Sequence, residues 1–151
     1  MITVNGLDEL KTLVGRDLGH SSWLEVTQER VNAFAEATGD HQWIHIDVDK
    51  AKDGPFKGTI AHGYLTLSLV IPFFSEILHV DGIKMGVNYG LDKVRFPSPV
   101  RVGSKIRLAA TVAGVEEVAS RCVQVALDFT VQIDGVDKPA CVARPIYRYY
   151  A

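Results

Sequence analysis

This sequence has few cysteines, little excess charge and no long apolar segment, and each scarcity excludes a class of protein. The two cysteines, Cys122 and Cys141, lie in strand-like segments without the spacing of metal ligands, so we expect reduced thiols in the core or at an interface. Lys and Arg total 16 against 18 Asp and Glu. This balance provides no basic surface for nucleic acid, and we expect no nucleic-acid partner.

The longest apolar run, residues 64–78, is too short for a membrane span. It contains Pro72 and Glu76 and falls below the roughly 20 residues that a bilayer requires, so we interpret it as a helix buried inside the protein. The first residues lack the basic and then apolar pattern of a signal peptide, and a cytoplasmic location is the expected default. A length of 151 residues predicts one domain over residues 1–151.

Helical patterns dominate the first half of the chain. Thr27 is a suitable N-cap for a helix whose apolar positions follow at i, i+3 and i+4, and Gly39 is typical of a residue that ends a helix in a left-handed conformation. A second, buried helix is expected from about Gly63. Because proline cannot donate the interior hydrogen bond, Pro72 should kink or split that helix.

From residue 83 onward the apolar residues recur with a period of two. The clearest strand is 121–133, and Asp134-Gly135 is a hairpin signal before a last strand over 139–150. Helices first and then four or more mostly antiparallel strands predict an α+β fold, in which the sheet wraps around one long buried helix.

A carboxylate and an imidazole lie five residues apart just beyond the first long helix, at Asp40 and His45. In a continuous helix, residues five apart point about 140° away from each other. Because the helix is expected to end at Gly39, the two side chains fall in a loop that can fold back on itself. A carboxylate and an imidazole that lie close together can hold and polarise one water molecule.

The segment Ile60-Ala61-His62-Gly63-Tyr64 opens the apolar run. Backbone N–H groups at the start of a buried helix can stabilise a negative carbonyl oxygen. Together with Asp40 and His45, this segment supplies what is needed to add water to, or remove it from, an activated double bond.

With these residues the sequence resembles the MaoC-like hydratases, an (R)-specific enoyl-thioester hydratase and dehydratase family with a hot-dog fold. The resemblance covers nearly the whole chain and rests on four segments: 34–45, 60–68, 94–103 and the closing hairpin. It implies a hydro-lyase of fatty-acid metabolism that acts on acyl-CoA or acyl-carrier thioesters. Asp40 and His45 would hold the water, and the Gly63 N–H would bind the thioester oxygen. Either member of the pair is a candidate for the base.

The family's loop usually reads G-D-x-N-P-[IL]-H, whereas this chain has Gln42 and Trp43 in place of Asn and Pro. Gln42 keeps an amide that can bind substrate, and Trp43 is expected to change the loop conformation and the width of the site. His62 is a candidate for capping the buried helix or shaping the oxyanion site. Ser68 matches a family position that contacts the catalytic loop, and a satisfied core hydroxyl is the alternative.

No cofactor or metal is expected. The histidines show neither a His-x-x-x-His pair nor a Cys/His zinc spacing. The chain has no Gly-rich phosphate loop, so CoA or carrier pantetheine would be held by surface residues such as Lys93, Arg95 or Arg101.

Two other functions are compatible with the sequence. A hot-dog thioesterase hydrolyses the same substrates but commonly uses a carboxylate near the central helix, where this chain has His62-Gly63-Tyr64. A non-catalytic partner subunit of a heterodimeric dehydratase is the other, although the intact Asp40 and His45 pair argues against it. The resemblance also implies that two copies pair their sheets edge to edge, so we predict a homodimer.

Overall fold

A computed structural model describes residues 1–151 of the chain. The eight strands are β1 (Ile2–Asn5), β2 (Asp17–His20), β3 (Leu24–Glu25), β4 (Leu78–Asp81), β5 (Met85–Arg95), β6 (Lys105–Ala119), β7 (Cys122–Ile133) and β8 (Val136–Tyr150). The main sheet has the order β2-β6-β7-β8-β5 with β3 also paired to β6, and every pairing in it is antiparallel. Strands β1 and β4 form a separate parallel pair.

Six helices precede β5. They are α1 (Gly6–Lys11), α2 (Gln28–Thr38), α3 (Trp43–Ile46), α4 (Val48–Lys52), α5 (Gly63–Ser68) and α6 (Val70–Ile77). Helix α5 contacts β8, and α6 contacts β2, β4 and β6, so the buried helical segment packs on one face of the main sheet. None of the helices combines the length and the apolarity that crossing a bilayer requires.

The buried helix is split at Leu69, between α5 and α6. Pro72 lies three residues further on, and its ring both lacks an N–H and crowds the carbonyl of Ser68, which would be its acceptor in a regular helix. The predicted split is therefore confirmed, and it occurs on the N-terminal side of the proline.

The core lies between the helices and the inner face of the sheet. Strand β7 supplies its centre through alternate residues, each no more than 5% exposed: Val123, Val125, Leu127, Phe129, Val131 and Ile133. This is the alternation predicted from the sequence. Both cysteines are free and buried, as expected, and burial raises the pKa of the Cys141 thiol to about 11.

One polar group in this core has no partner. The side chain of Tyr147 is only 6% exposed, it packs against Phe74 and Phe129, and its hydroxyl makes no hydrogen bond. A buried polar group that is left unpaired costs about 1–3 kcal/mol. Burial also raises the pKa of Tyr147 far above its ordinary value.

We therefore expect Tyr147→Phe to raise the free energy of unfolding by about 1 kcal/mol at neutral pH. The difference should grow above about pH 10, where the unfolded phenol ionises but the folded one stays neutral, so the wild type loses stability that the variant keeps. Urea unfolding at pH 7 and pH 10.5 measures both effects. Tyr64→Phe is the control, because Tyr64 is 73% exposed. A variant less stable than wild type would contradict this account.

Candidate active site

His45 is fixed in one orientation by the segment that precedes the buried helix. Its side chain is 6% exposed, and its Nδ1 lies 2.7 Å from the carbonyl oxygen of Ile60. Because a carbonyl only accepts, Nδ1 carries the proton and Nε2 is left free in the neutral ring. The Ile60 N–H in turn donates to the Ile44 carbonyl at 3.0 Å, which ties the two segments together on both sides of the imidazole.

Asp40 reaches the site because α2 stops before it. The Thr27 hydroxyl caps the start of this helix by accepting from the Arg30 N–H, and Gly39 ends the helix with φ of +81°, as the sequence predicts. The Asp40 carboxylate then accepts from the backbone N–H of Gln42 at 3.3 Å, which closes a tight turn. The turn directs the chain back toward His45, which is buried just beyond this exposed loop.

The fold brings Asp40, His45 and His62 together. One carboxylate oxygen of Asp40 and one ring nitrogen of each histidine lie within 4.8 Å of one another. Two hydrogen bonds of about 2.8 Å can meet at a single water across such a gap. The free Nε2 of His45 and the carboxylate of Asp40 are both acceptors, so such a water would donate both of its protons and turn its lone pairs outward.

His62 supports both members of the pair. Its ring stacks on that of His45 with centroids 3.9 Å apart, and its Nε2 donates to the main-chain carbonyl of Asp40 at 3.0 Å. Its Nδ1 is buried without a hydrogen-bond partner. The side chain does not cap α5, so the structure contradicts the capping interpretation. His62 instead packs against the loop that carries Asp40 and His45.

The same three side chains are poorly arranged to bind a metal ion. An imidazole binds zinc in the plane of its ring at about 2 Å. The planes of the two stacked imidazole rings are inclined by only 22°. No point therefore lies in both ring planes and also within about 2 Å of a nitrogen of each ring. The geometry favours bound water over a metal at this site.

Gly63 begins α5 next to His62, and its N–H has no acceptor within the chain. A Cβ at this position would meet the ring of Phe96 at 3.3 Å. The absence of a side chain thus permits Phe96 to pack close to an unpaired backbone donor. These are the properties expected of an oxyanion donor.

Two of the predicted site residues do not turn their side chains to the pair. The Ser68 hydroxyl donates to the Tyr64 carbonyl one turn earlier, at 2.7 Å. It is therefore satisfied within its own helix, but it is exposed and does not lie in the core. The side chain of Gln42 is exposed and makes no hydrogen bond. Only its backbone serves the site, through its N–H to Asp40 and its carbonyl, which accepts from the His45 N–H at 3.0 Å.

Trp43, which stands where the family usually has proline, packs on the segment that follows it. Its ring lies over Gly54, where an added Cβ would come within 3.0 Å of the indole, and the ammonium of Lys50 lies 4.7 Å from the ring centre. This packing anchors α3 to α4 through side-chain contact.

Sequence reasoning missed Gln28, Thr59 and the role of Phe34. Phe34 packs against His62 with ring centroids 4.9 Å apart, and its position on the inner face of α2 was a usable signal. The hydrogen bonds of Gln28 and Thr59 join residues far apart in sequence, for which no local pattern exists.

An apolar cavity of about 350 Å³ lies between α6 and the strands β5 and β8. The cavity is lined mainly by apolar side chains together with Asn88 and two tyrosines: Ile71, Phe74, Ser75, Leu78, Gly86, Val87, Asn88, Tyr147 and Tyr149. Its volume is in the range of small-molecule sites.

Comparison with known proteins gives consistent matches. Residues 9–133 match the family described as "MaoC like domain". The 3-hydroxyacyl-thioester dehydratase Z of Mycobacterium tuberculosis is 48% identical over 151 residues, which cover all of both chains.

Solved structures agree in fold. A monoamine oxidase regulatory protein from Archaeoglobus fulgidus superposes with a TM-score of 0.81 at 22% identity, covering 99% of this chain and 98% of the other. The (R)-hydratase from A. caviae involved in PHA biosynthesis gives a TM-score of 0.72 at 22% identity, covering 89% of this chain and 94% of the other. At these identities the likeness concerns the fold alone, and it confirms the predicted α+β hot-dog architecture.

Proposed function

Because this chain belongs to the MaoC-like domain family, we propose that it hydrates trans-2-enoyl thioesters, and dehydrates (3R)-hydroxyacyl thioesters, in fatty-acid metabolism. The predicted hydro-lyase class is confirmed by the full-length relative at 48% identity. The observation that carries the finer proposal is the Asp40 and His45 pair, with a carboxylate oxygen and a ring nitrogen within 4.8 Å.

In hydration, the water held by Asp40 and His45 attacks C3 of the enoyl group. Both partners accept hydrogen bonds from the water, so the oxygen lone pair faces the substrate while one partner takes a proton. The hydroxyl forms a bond to C3, the protonated partner returns its proton to C2, and the C2–C3 double bond becomes single. Dehydration follows the same steps in reverse.

The electron pair displaced by this attack moves onto the thioester oxygen. We place that oxygen against the unpaired N–H of Gly63, which begins α5. A donor already in position stabilises the enolate-like transition state more than the less charged ground state, so the contact accelerates the reaction.

The apolar cavity suits the acyl chain of the substrate. Ile71, which lines the cavity, is eight residues beyond Gly63, and at about 1.5 Å per helical residue this is about 12 Å along the buried helices. A fatty acyl group bound at Gly63 by its carbonyl can extend along α5 and α6 into this cavity. Of the cationic candidates for CoA or a carrier, Arg101 donates to the Lys57 carbonyl and Arg95 to the Val94 carbonyl, each at 2.7 Å. Lys93 makes no such bond and is the better surface candidate.

Hydration of a short trans-2-enoyl-CoA, followed as loss of enoyl-thioester absorbance, tests the proposed function. We expect the absorbance to fall without release of free thiol, and chiral analysis of the product to give the (3R)-hydroxyacyl thioester. Thiol release without hydration would instead support the thioesterase. Absence of both reactions across short and long chains would contradict the proposal and favour a non-catalytic partner subunit.

A homodimer is the assembly that we propose. Strand β5 pairs only with β8 and leaves its other edge open, and it exposes Met85, Tyr89 and Leu91. An open apolar edge is a site for strand pairing. Sedimentation at micromolar concentration should give twice the chain mass, and Leu91→Lys should weaken the dimer more than Val118→Lys, a change at an exposed position in β6. A stable monomeric wild type would contradict this.

A further inference from the structure

Gln28, the first residue of α2, lies between the two chain segments that hold His45. Its Nε2 donates to the His45 carbonyl oxygen at 2.7 Å and to Asn32 Oδ1 at 2.9 Å. Its Oε1 accepts from the hydroxyl of Thr59 at 2.6 Å. Because a carbonyl can only accept, the bond to His45 fixes which end of the amide is the nitrogen.

Thr59 links this amide to the imidazole from the other side. It is 5% exposed and immediately precedes Ile60, whose carbonyl oxygen accepts from His45 Nδ1. Gln28 therefore joins the main chain of His45 to the Thr59–Ile60 segment, whose Ile60 carbonyl accepts from the His45 ring. The hydrogen bonds of the Gln28 amide go to the His45 carbonyl, to the Thr59 hydroxyl and to Asn32 on the same helix.

We propose that Gln28 is a positioning residue for His45, which sets the direction of the free Nε2 by joining the His45 carbonyl to the Thr59–Ile60 segment. This inference rests on the proposed function, because it assigns Gln28 a role through the catalytic imidazole. Gln28 need not touch the substrate. A displacement of a reacting group by about 1 Å can cost about 10²-fold in rate, so the expected effect is on kcat.

Gln28→Glu is the sharpest variant. It keeps the shape and an acceptor for Thr59 but replaces the donor to the His45 carbonyl by an oxygen, so two acceptors face each other. We expect kcat to fall about 10- to 100-fold and KM to stay within about twofold. Thr59→Val removes the other half of the link with little change in volume, and it provides a second variant with a smaller loss of kcat in the same direction.

Thr27→Ala is the matched control for a merely structural role. Thr27 caps the same helix one residue earlier and does not contact His45. The change lowers the melting temperature by weakening the start of α2 but should leave kcat within about twofold. If Thr27→Ala lowers kcat as much as Gln28→Glu at a similar loss of stability, the positioning role is overturned.

A double-mutant cycle with His45→Gln decides whether Gln28 acts through His45. In that background, Gln28→Glu should change kcat by less than about twofold, because there is no imidazole left to orient. A further loss equal to that in wild type would overturn the proposal while leaving the hydratase function intact. Unchanged hydration by His45→Gln alone would remove His45 from the mechanism, and the role of Gln28 with it, whereas only the absence of hydration by the wild type would overturn the proposed function.

Discussion

Asp40→Asn and His45→Gln are each expected to lower kcat for enoyl-CoA hydration by at least about 10²-fold, the lower range for acid–base catalysis. Asparagine keeps the oxygen that accepts from the Gln42 N–H but loses the charge that polarises the water. Glutamine at position 45 can still donate to the Ile60 carbonyl, but it has no basic nitrogen to accept a proton. Both variants should therefore fold and fail in chemistry.

Initial rates at saturating enoyl-CoA, together with thermal unfolding, measure the two effects separately. His41→Gln is the control, because His41 is exposed next to Asp40 and its ring contacts Glu36 at 2.7 Å, whose carboxylate raises the pKa of His41. It should keep kcat within about twofold. Full activity in both Asp40→Asn and His45→Gln would remove the pair from the mechanism.

Gly63→Pro is expected to lower kcat by about 10²- to 10³-fold, as for the loss of one oxyanion donor. Proline removes the N–H, and it is well accepted at the first position of a helix. The preceding residue is also suited to it, because the ψ of His62 is 139°, an extended rather than a helical value, as a residue before proline prefers. The donor is thus deleted while the helix start is preserved.

Gly63→Ala separates loss of the donor from crowding. It introduces the same Cβ, which meets Phe96 at 3.3 Å, but keeps the N–H. We expect it to retain at least about tenfold more activity than Gly63→Pro. Equal losses in the two variants would show that crowding at Phe96, rather than the missing N–H, limits the rate, and the oxyanion role would then be abandoned.

Several features of the fold could be predicted because they depend on neighbours in sequence. The cap at Thr27, the left-handed end at Gly39 and the split caused by Pro72 each depend on the backbone preferences of one residue. The inner face of β7 follows from its period of two. Together these determined where the helix stops and that Asp40 and His45 lie beyond it.

The arrangement of the site was decided by tertiary contacts. His62 stacks on His45, seventeen residues away, and Gln28 bonds both the His45 carbonyl and Thr59. Ser68, assigned to the loop by resemblance, bonds its own helix instead. Local preferences act over a few residues of the chain. The distance between two ring nitrogens depends on how separate segments pack, so only the folded core could fix it.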